Sequence, residues 1–207
     1  MQKFTICVIG DDARQAYLAE YLEKEGMLVH THADWNPAYL ENCDLLIGPV
    51  GFYKNGELLP DVHKACEQYH VPILNYMSSR EFLIANAQIT AEGLLAYLIL
   101  NTPFALNGAN ALILGFGRCG SAIANRLHVL GCRVDAYDLL PDRFEKPESY
   151  DLVINTIPAV VITEDILKPL RKDCVLFDIF TTPGGYDEEA FARLVLNLIR
   201  CAAIPGS

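Results

Sequence analysis

Apolar positions follow two patterns along this chain. Continuous apolar runs of about five residues that stop at glycine or a polar residue predict buried strands, and apolar residues spaced about three or four apart predict amphipathic helices. Predicted strands lie near residues 4–9, 27–31, 43–48, 71–74, 112–114, 132–138, 150–155 and 174–178. Predicted helices lie near residues 13–26, 62–69, 79–102, 121–130, 163–170 and 188–199.

Strands that alternate with helices predict an α/β fold built on parallel sheets. We expect two doubly wound parallel-sheet domains. Residues 1–85 are predicted to form a flavodoxin-like or Rossmann-like α/β domain, and 103–207 a Rossmann domain that binds NAD or NADP. Residues 86–102 are predicted to form a linking helix between them.

The helical segment 79–102 is expected to break near residues 86–90. Thr90 is of a type that caps helix N-termini well, and Glu92 would then be an acid in the first turn of a second helix. Glu92 has two interpretations: a favourable partner of the helix dipole, or a group that orients a substrate or takes a proton.

A glycine-rich turn separates a predicted strand from a predicted helix in the second domain. It consists of Gly115, Phe116, Gly117, Arg118, Cys119 and Gly120. In a GxGxxG turn the first glycine allows a tight bend, the second lets the backbone approach a pyrophosphate, and the third lets helix and strand pack closely. Because strand, turn and helix occur in this order, we expect these residues to hold a dinucleotide pyrophosphate at the helix N-terminus.

Asp138 closes the next predicted strand. A carboxylate at this place accepts hydrogen bonds from both hydroxyls of the adenosine ribose and repels a 2′-phosphate, so NAD is favoured over NADP. Arg133 and Arg143 are near enough in sequence to keep NADP as an alternative.

Two later predicted strands end in polar and turn residues. Asn155, Thr156, Ile157 and Pro158 end one of them, and Asp178 ends the next. Because the carboxyl ends of parallel strands line the edge of the sheet where ligands bind, we expect these residues to border the nicotinamide.

The first domain begins with a strand that stops at Gly10 and leads into a helix. Its turn contains a single glycine, so it is not a second dinucleotide motif. Arg14 lies in the first helical turn and has two interpretations: a surface ion pair with Asp11 or Asp12, or an anion-binding group at the carboxyl end of the strand.

Composition narrows the class of protein. The 207 residues are 52% apolar and carry a net charge of −10, which disfavours binding to nucleic-acid phosphates. No apolar run of transmembrane length and no signal-peptide pattern occurs, so we expect a cytoplasmic protein without a membrane partner. The seven cysteines contain no CxxC pair and mostly fall in apolar runs, so we interpret them as buried thiols and expect no metal site.

Five motifs in sequence order together resemble the dipicolinate synthase family of spore-forming bacteria, in its A-type chain. They are Gly10-Asp11-Asp12-Ala13-Arg14-Gln15, Asn86-Ala87-x-x-Thr90-Ala91-Glu92-Gly93, the glycine turn, Ile154-Asn155-Thr156-Ile157-Pro158 and Pro183-Gly184-Gly185. The resemblance covers essentially the whole chain. It implies an oxidoreductase acting on a CH–CH group, which oxidises dihydrodipicolinate to dipicolinate with NAD or NADP. It also implies that the partner is a flavoprotein-like B subunit, in the cytoplasm of a sporulating mother cell.

With a dicarboxylate substrate, Arg14 becomes the candidate cation for a carboxylate and Glu92 the candidate for orienting the substrate or taking a proton. Relatives carry an arginine where this chain has Thr181-Thr182-Pro183. They also continue past residues 203–206 with a helix that packs back across the domain junction, which the second domain is expected to lack.

Two alternative functions are an NAD(H)-sensing module without catalysis and an oxidoreductase similar to 2-hydroxyacid dehydrogenases. The late catalytic histidine of that second family has no counterpart in residues 173–207. The sequence is also compatible with a homo-oligomer.

Overall fold

The computed structural model describes residues 4–54, 57–138, 146–179, 184–194 and 197–201. The chain divides into two compact units, with the boundary between Leu83 and Ile84. Each unit contains a parallel sheet flanked by helices, which confirms the predicted fold class.

The first unit is built around strand β1 (Thr5–Ile9). Strands β2 (Leu28–His32) and β3 (Leu45–Ile47) pair with it in parallel, in the order β2-β1-β3. The other elements are α1 (Ala13–Lys24), the antiparallel pair β4 (Tyr53–Lys54) and β5 (Glu57–Leu58), and α2 (Pro60–Tyr69).

Strand β1 is buried on both faces, because its side chains alternate between two apolar layers. Ile6 and Val8 pack in the layer that contains residues of α1, and Cys7 and Ile9 pack in the layer that contains residues of α2. The continuous apolar run in the sequence therefore corresponds to a central parallel strand.

Residues 71–74 make a single isolated parallel bridge, between Ile73 and Leu46, in place of the predicted strand. Pro72 has no backbone N–H, so this segment cannot donate a full ladder of hydrogen bonds. The segment still lies beside β3, where Leu74 N donates to Leu46 O at 2.9 Å.

Helix α3 (Arg80–Asn101) is continuous, so the predicted break near residues 86–90 is wrong. Thr90 is 3% exposed, and its hydroxyl donates to Asn86 O at 2.8 Å within the helix. A threonine that satisfies its hydroxyl on the preceding turn can remain inside a helix. Thr90 therefore does not cap a second helix, and Glu92 lies in the middle of α3.

One face of α3 joins the core of the second unit. The buried residues of this face are Ala87, Ala91, Leu94 and Leu98. In the described part of the chain, α3 is the one helix long and apolar enough to cross a membrane, and a core helix meets the same criteria. Its other face exposes Ile89, Ile99 and Leu100.

The second unit contains a five-stranded parallel sheet. Its elements are β6 (Asn110–Leu114), α4 (Arg118–Val129), β7 (Arg133–Tyr137), β8 (Leu152–Asn155), α5 (Glu164–Leu167), β9 (Val175–Asp178), α6 (Glu188–Leu194) and β10 (Asn197–Arg200). The strand order is β10-β9-β8-β6-β7. The chain therefore winds in opposite directions from the point between β6 and β8, which is where open parallel sheets bind ligands.

The predicted last helix, residues 188–199, is only partly correct. Helix α6 ends at Leu194, and β10 pairs in parallel with β9. Leu198 packs against one core cluster of the sheet and Ile199 against the other, which is the alternation of a strand and not of a helix.

Candidate dinucleotide-binding site

Two glycines of the predicted turn are required by the packing of the described residues. Gly115 has φ +94°, and a Cβ at this position would overlap Thr156 Oγ1. A Cβ at Gly120 would overlap the backbone oxygen of Gly115. Only glycine fits both places without a shift of the backbone, so the turn holds β6 and the start of α4 in close contact.

The N-terminus of α4 is open at the N-cap. Gly117 is the N-cap residue and supplies no side-chain hydrogen bond to the first turn of the helix. A Cβ at Gly117 would meet no atom within 4 Å. The first N–H groups of a helix have no partner in the helix itself and attract anions, so this surface fits a pyrophosphate.

Two other side chains of the turn differ in exposure. Arg118 is exposed at the first position of α4, and Phe116 is 48% exposed. Cys119 is half-buried against the core, and burial raises the pKa of its thiol despite the smaller opposing effect of Arg118. Cys119 is therefore a neutral packing residue, while Arg118 places a positive charge beside the helix start.

Asp138 lies beside the glycine turn, because β6 and β7 pair in register. Leu114 is opposite Tyr137, and Gly115 N donates to Tyr137 O at 2.7 Å. The exposed Asp138 side chain accepts a hydrogen bond from Phe116 N at 3.4 Å through Oδ1. A carboxylate next to a pyrophosphate turn is placed to accept ribose hydroxyls.

The two arginines that kept NADP as an alternative are not equivalent. Arg133 begins β7, at the opposite end of the strand from Asp138, and its Nη1 donates to Asn110 Oδ1 at 3.2 Å. Arg133 is therefore held away from the edge of the sheet that carries the turn. Arg143 lies outside the described residues.

Thr156 joins the end of β8 to the glycine turn. Its backbone N donates to Leu114 O at 2.8 Å, and its hydroxyl lies 3.0 Å from Leu114 O and 3.1 Å from Gly115 O. The side chain occupies the space that a Cβ at Gly115 would need. Thr156 thus packs against the glycine turn, and its predicted place beside the nicotinamide stays a prediction.

Asn155 and Asp178 end neighbouring strands at the same register position and are both 0% exposed. Asn155 Nδ2 donates to Asp178 Oδ1 at 3.1 Å, and Gly185 N donates to Asp178 Oδ2 at 2.7 Å. Asn155 also bonds the backbone of Ile157. Its Oδ1 accepts from Ile157 N, and its Nδ2 donates to Ile157 O, each at 3.0 Å. Pro158 follows and is exposed.

Arg14 and Glu92, the predicted catalytic residues, are each in an ion pair. Arg14 donates through Nε and Nη2 to Asp12, with the shortest distance 2.6 Å between Nη2 and Oδ2. Glu92 Oε1 lies 2.9 Å from Arg126 Nη2 of α4. Arg14 therefore makes the predicted pair with Asp12, and Glu92 links α3 to α4.

The cysteines are free thiols, mostly in the apolar core. Burial raises the pKa of Cys7, Cys174 and Cys201 to about 12, so they stay protonated at neutral pH. Among the described residues no cluster of three His, Cys, Asp or Glu side chains could hold a metal ion.

Two residues of the site have no role in the sequence-based prediction. In the sequence, Gly185 is recognised only as part of a motif. The signal that could have found it is the glycine pair soon after a strand that ends in Asp, because glycine marks places where the backbone approaches other atoms closely. Arg126 is the partner of Glu92, and a separation of 34 residues leaves no local signal of that pair.

No protein-family model matches the chain. The chain is 22% identical over 203 residues to the A subunit of dipicolinate synthase from Bacillus subtilis (strain 168). The alignment covers 90% of this chain and 65% of that protein, so this chain spans just under two thirds of the relative's length.

Solved structures give the same fold. The A subunit of dipicolinate synthase from Bacillus halodurans superposes with a TM-score of 0.76 at 20% identity, covering 98% of this chain and 90% of that chain. A D-isomer specific 2-hydroxyacid dehydrogenase from Lactobacillus delbrueckii ssp. bulgaricus, in NAD complexed form, superposes with a TM-score of 0.55 at 15% identity, covering 95% of this chain and 79% of that chain. The predicted resemblance is confirmed, and the architecture is one shared with dehydrogenases.

Proposed function

We propose that this chain binds NAD and oxidises dihydrodipicolinate to dipicolinate, in the role of the A subunit of a dipicolinate synthase. The observation that supports the proposal best is the open start of α4: a glycine N-cap without a side-chain bond, near Asp138, which directly follows the neighbouring strand. The choice of dihydrodipicolinate as the substrate rests on the similarity to the Bacillus subtilis protein.

In this proposal, different places in the second unit hold the adenosine ribose, the pyrophosphate and the nicotinamide half of the dinucleotide. Asp138 accepts the hydroxyls of the adenosine ribose, and its charge favours NAD over NADP. The N–H groups at the start of α4, from Gly117 to Gly120, and the guanidinium of Arg118 bind the pyrophosphate. Because the adenosine lies over β7, the nicotinamide half lies on the other side of β6, over β8 and β9.

The nicotinamide supplies a hydride acceptor when it is bound. The chain itself has to orient the substrate, bind its two carboxylates and exclude water. Arg14 is the better candidate for a carboxylate, since Nε and Nη2 bond Asp12 and Nη1 makes no hydrogen bond with a described residue. Glu92 would have to leave Arg126 to take a proton.

Partner and location follow from the same proposal. The similar Bacillus subtilis protein is one subunit of a synthase. We therefore expect the partner that the family resemblance implies, a flavoprotein-like B subunit. The expected compartment is the cytoplasm of a sporulating mother cell, and assembly as a homo-oligomer is compatible with it.

The proposal is tested by absorbance of reduced nicotinamide with dihydrodipicolinate generated in situ, with and without the B subunit. We expect reduction of NAD that depends on substrate, and weaker use of NADP. Arg14→Ala should lower turnover or substrate affinity while NAD binding, measured by calorimetry, stays the same. Absence of heat with either dinucleotide would remove the redox function.

A second candidate is an NAD(H)-sensing module without catalysis. The observation that favours it is that Arg14 and Glu92 are both engaged in ion pairs. This candidate predicts tight NAD(H) binding without turnover, in the presence and in the absence of the B subunit.

A further inference from the structure

A buried polar network lies at the carboxyl ends of β8 and β9. It consists of the side chains of Asn155 and Asp178 and the backbone of Gly185, which we call the clasp. Both side chains are 0% exposed. Burying a carboxylate is costly unless hydrogen bonds satisfy it, so a network of this kind fixes one arrangement of the chain.

The donors and acceptors of the clasp allow one orientation. Asp178 accepts from Asn155 Nδ2 and from Gly185 N, while Asn155 Oδ1 accepts from Ile157 N. If the Asn155 amide were turned over, its NH₂ would face the N–H of Ile157. The orientation of Asn155 is therefore set from both sides.

Gly185 joins the clasp to the segment that follows β8. Its oxygen accepts from Val161 N at 3.0 Å and from Ile162 N at 2.8 Å. A Cβ on Gly185 would overlap Asn155 Nδ2, so only glycine allows the backbone to come this close. The clasp thus connects three places: the ends of two strands and residues 161–162.

The clasp lies on the side of β6 where the nicotinamide half of a dinucleotide belongs. Ile157 is fixed by it through both backbone groups, and Pro158 follows at the surface. Asp178 itself is fully enclosed and its two oxygens already accept hydrogen bonds. Its effect on a ligand is therefore indirect.

We propose that the clasp positions Ile157 and Pro158 for the nicotinamide half of the dinucleotide, with Asp178 as a positioning residue and not a ligand. This inference rests on the proposed binding of NAD. It predicts that damage to the clasp weakens ligands that carry nicotinamide, and leaves ligands that end at the second ribose unchanged.

The test measures the affinities of NADH and ADP-ribose for the full chain by calorimetry. In Asp178→Asn an amide NH₂ must face either Gly185 N–H or Asn155 Nδ2, so two donors oppose each other. We expect NADH affinity to fall about tenfold, because a buried group loses its partner, and ADP-ribose affinity to stay within about twofold. Asp165→Asn, an exposed charge change in the same unit, is the matched control.

Two further variants keep the test decisive if Asp178→Asn folds poorly. Combining Asn155→Asp with Asp178→Asn restores a donor opposite an acceptor, and should recover part of the NADH affinity. Gly185→Ala should repeat the selective loss, with Gly51→Ala as control, since a Cβ at Gly51 meets no atom within 4 Å.

The outcomes separate the two proposals. Wild-type protein that binds neither ligand removes the proposed function together with this inference. Wild-type protein that binds both, with clasp variants that lose neither or lose both equally, overturns the inference alone. Selective loss of NADH with partial recovery in the exchanged pair supports it.

Discussion

The two units begin with the same construction and differ at one place, the start of a helix. In each unit a buried parallel strand ends at a glycine with positive φ, Gly10 at +133° and Gly115 at +94°, and a helix of 12 residues follows. In the first unit Asp12 caps α1, and its carboxylate accepts a hydrogen bond from Arg14 N at 2.8 Å. In the second unit the N-cap is Gly117, without a side-chain bond.

The difference shows that topology alone does not make a phosphate site. A helix start attracts anions only while the N–H groups of its first turn are accessible and no capping carboxylate is bonded to them. Asp12 satisfies α1 internally and adds negative charge, whereas Gly117 leaves the start of α4 open.

Gly120→Ala should have the largest effect. The alanine Cβ would overlap the backbone oxygen of Gly115. We therefore expect the free energy of unfolding to fall by about 1–3 kcal/mol and the affinity for NAD to fall about 100-fold. Urea unfolding and calorimetry measure the two quantities.

Gly117→Ala is the matched variant, because its Cβ meets open space. The free energy of unfolding should fall by less than about 1 kcal/mol, because alanine is a poorer N-cap than glycine, while NAD affinity falls about tenfold as the methyl group enters the pyrophosphate site. Equal NAD affinity in Gly117→Ala and wild type would show that the open helix start is not the binding surface.

Asp138→Ala should lower NAD affinity about tenfold, because hydrogen bonds between a charged carboxylate and the ribose hydroxyls are lost. The same change removes the repulsion of a 2′-phosphate, so NADP affinity should stay equal or rise. Titration of both dinucleotides gives the ratio. A parallel fall for NAD and NADP would mean that the carboxylate supports the turn through Phe116 and does not select the cofactor.

The sheets can be predicted from the sequence, because buried parallel strands require continuous apolar runs. The segment after α6 cannot, since Leu198 and Ile199 suit a helix or a strand equally well. Their strand conformation depends on pairing with β9 and on packing against opposite faces of the sheet. Tertiary contacts decide such short apolar segments.

The candidate site can be predicted from the sequence where its contacts are local, and not where they join residues far apart in the chain. The glycine turn is local in sequence, and its geometry is the one that its spacing predicts. The Glu92–Arg126 pair joins residues 34 apart, and the Asn155–Asp178 pair joins residues 23 apart. Neither pair is visible before the chain is folded, which is why the sequence alone places Glu92 at a helix start and does not pair Asp178 with Asn155.

Thr156→Val should have a smaller effect, on stability. The change keeps the shape but replaces the hydroxyl donor with a methyl group beside the oxygens of Leu114 and Gly115, so we expect a loss of about 1 kcal/mol. Thr163→Val is the control, because Thr163 is exposed and its side chain makes no cap hydrogen bond. Equal urea midpoints for the two variants would contradict a role of Thr156 in seating the turn.

Asp12→Asn should have the smallest effect and a definite pH dependence. The hydrogen bond from Arg14 lowers the pKa of Asp12 in the folded state, so the ionised carboxylate stabilises the fold above its unfolded pKa. This contribution is lost as pH falls through the folded pKa.

Asparagine at position 12 keeps the cap and removes the ion pair with Arg14. The side chains of Asp12 and Arg14 are 24% and 37% exposed, so the pair contributes about 0.5 kcal/mol. Wild type should therefore be slightly more stable than Asp12→Asn at about pH 7, and the difference should be smaller at an acidic pH below the ordinary Asp pKa of about 3.9. Asp11→Asn, an exposed change one residue earlier, should show a smaller difference, and urea unfolding of the three proteins at both pH values measures it. If Asp12→Asn matches wild type at both pH values, the pair with Arg14 has no share in stability, and the two helix starts differ only in their caps.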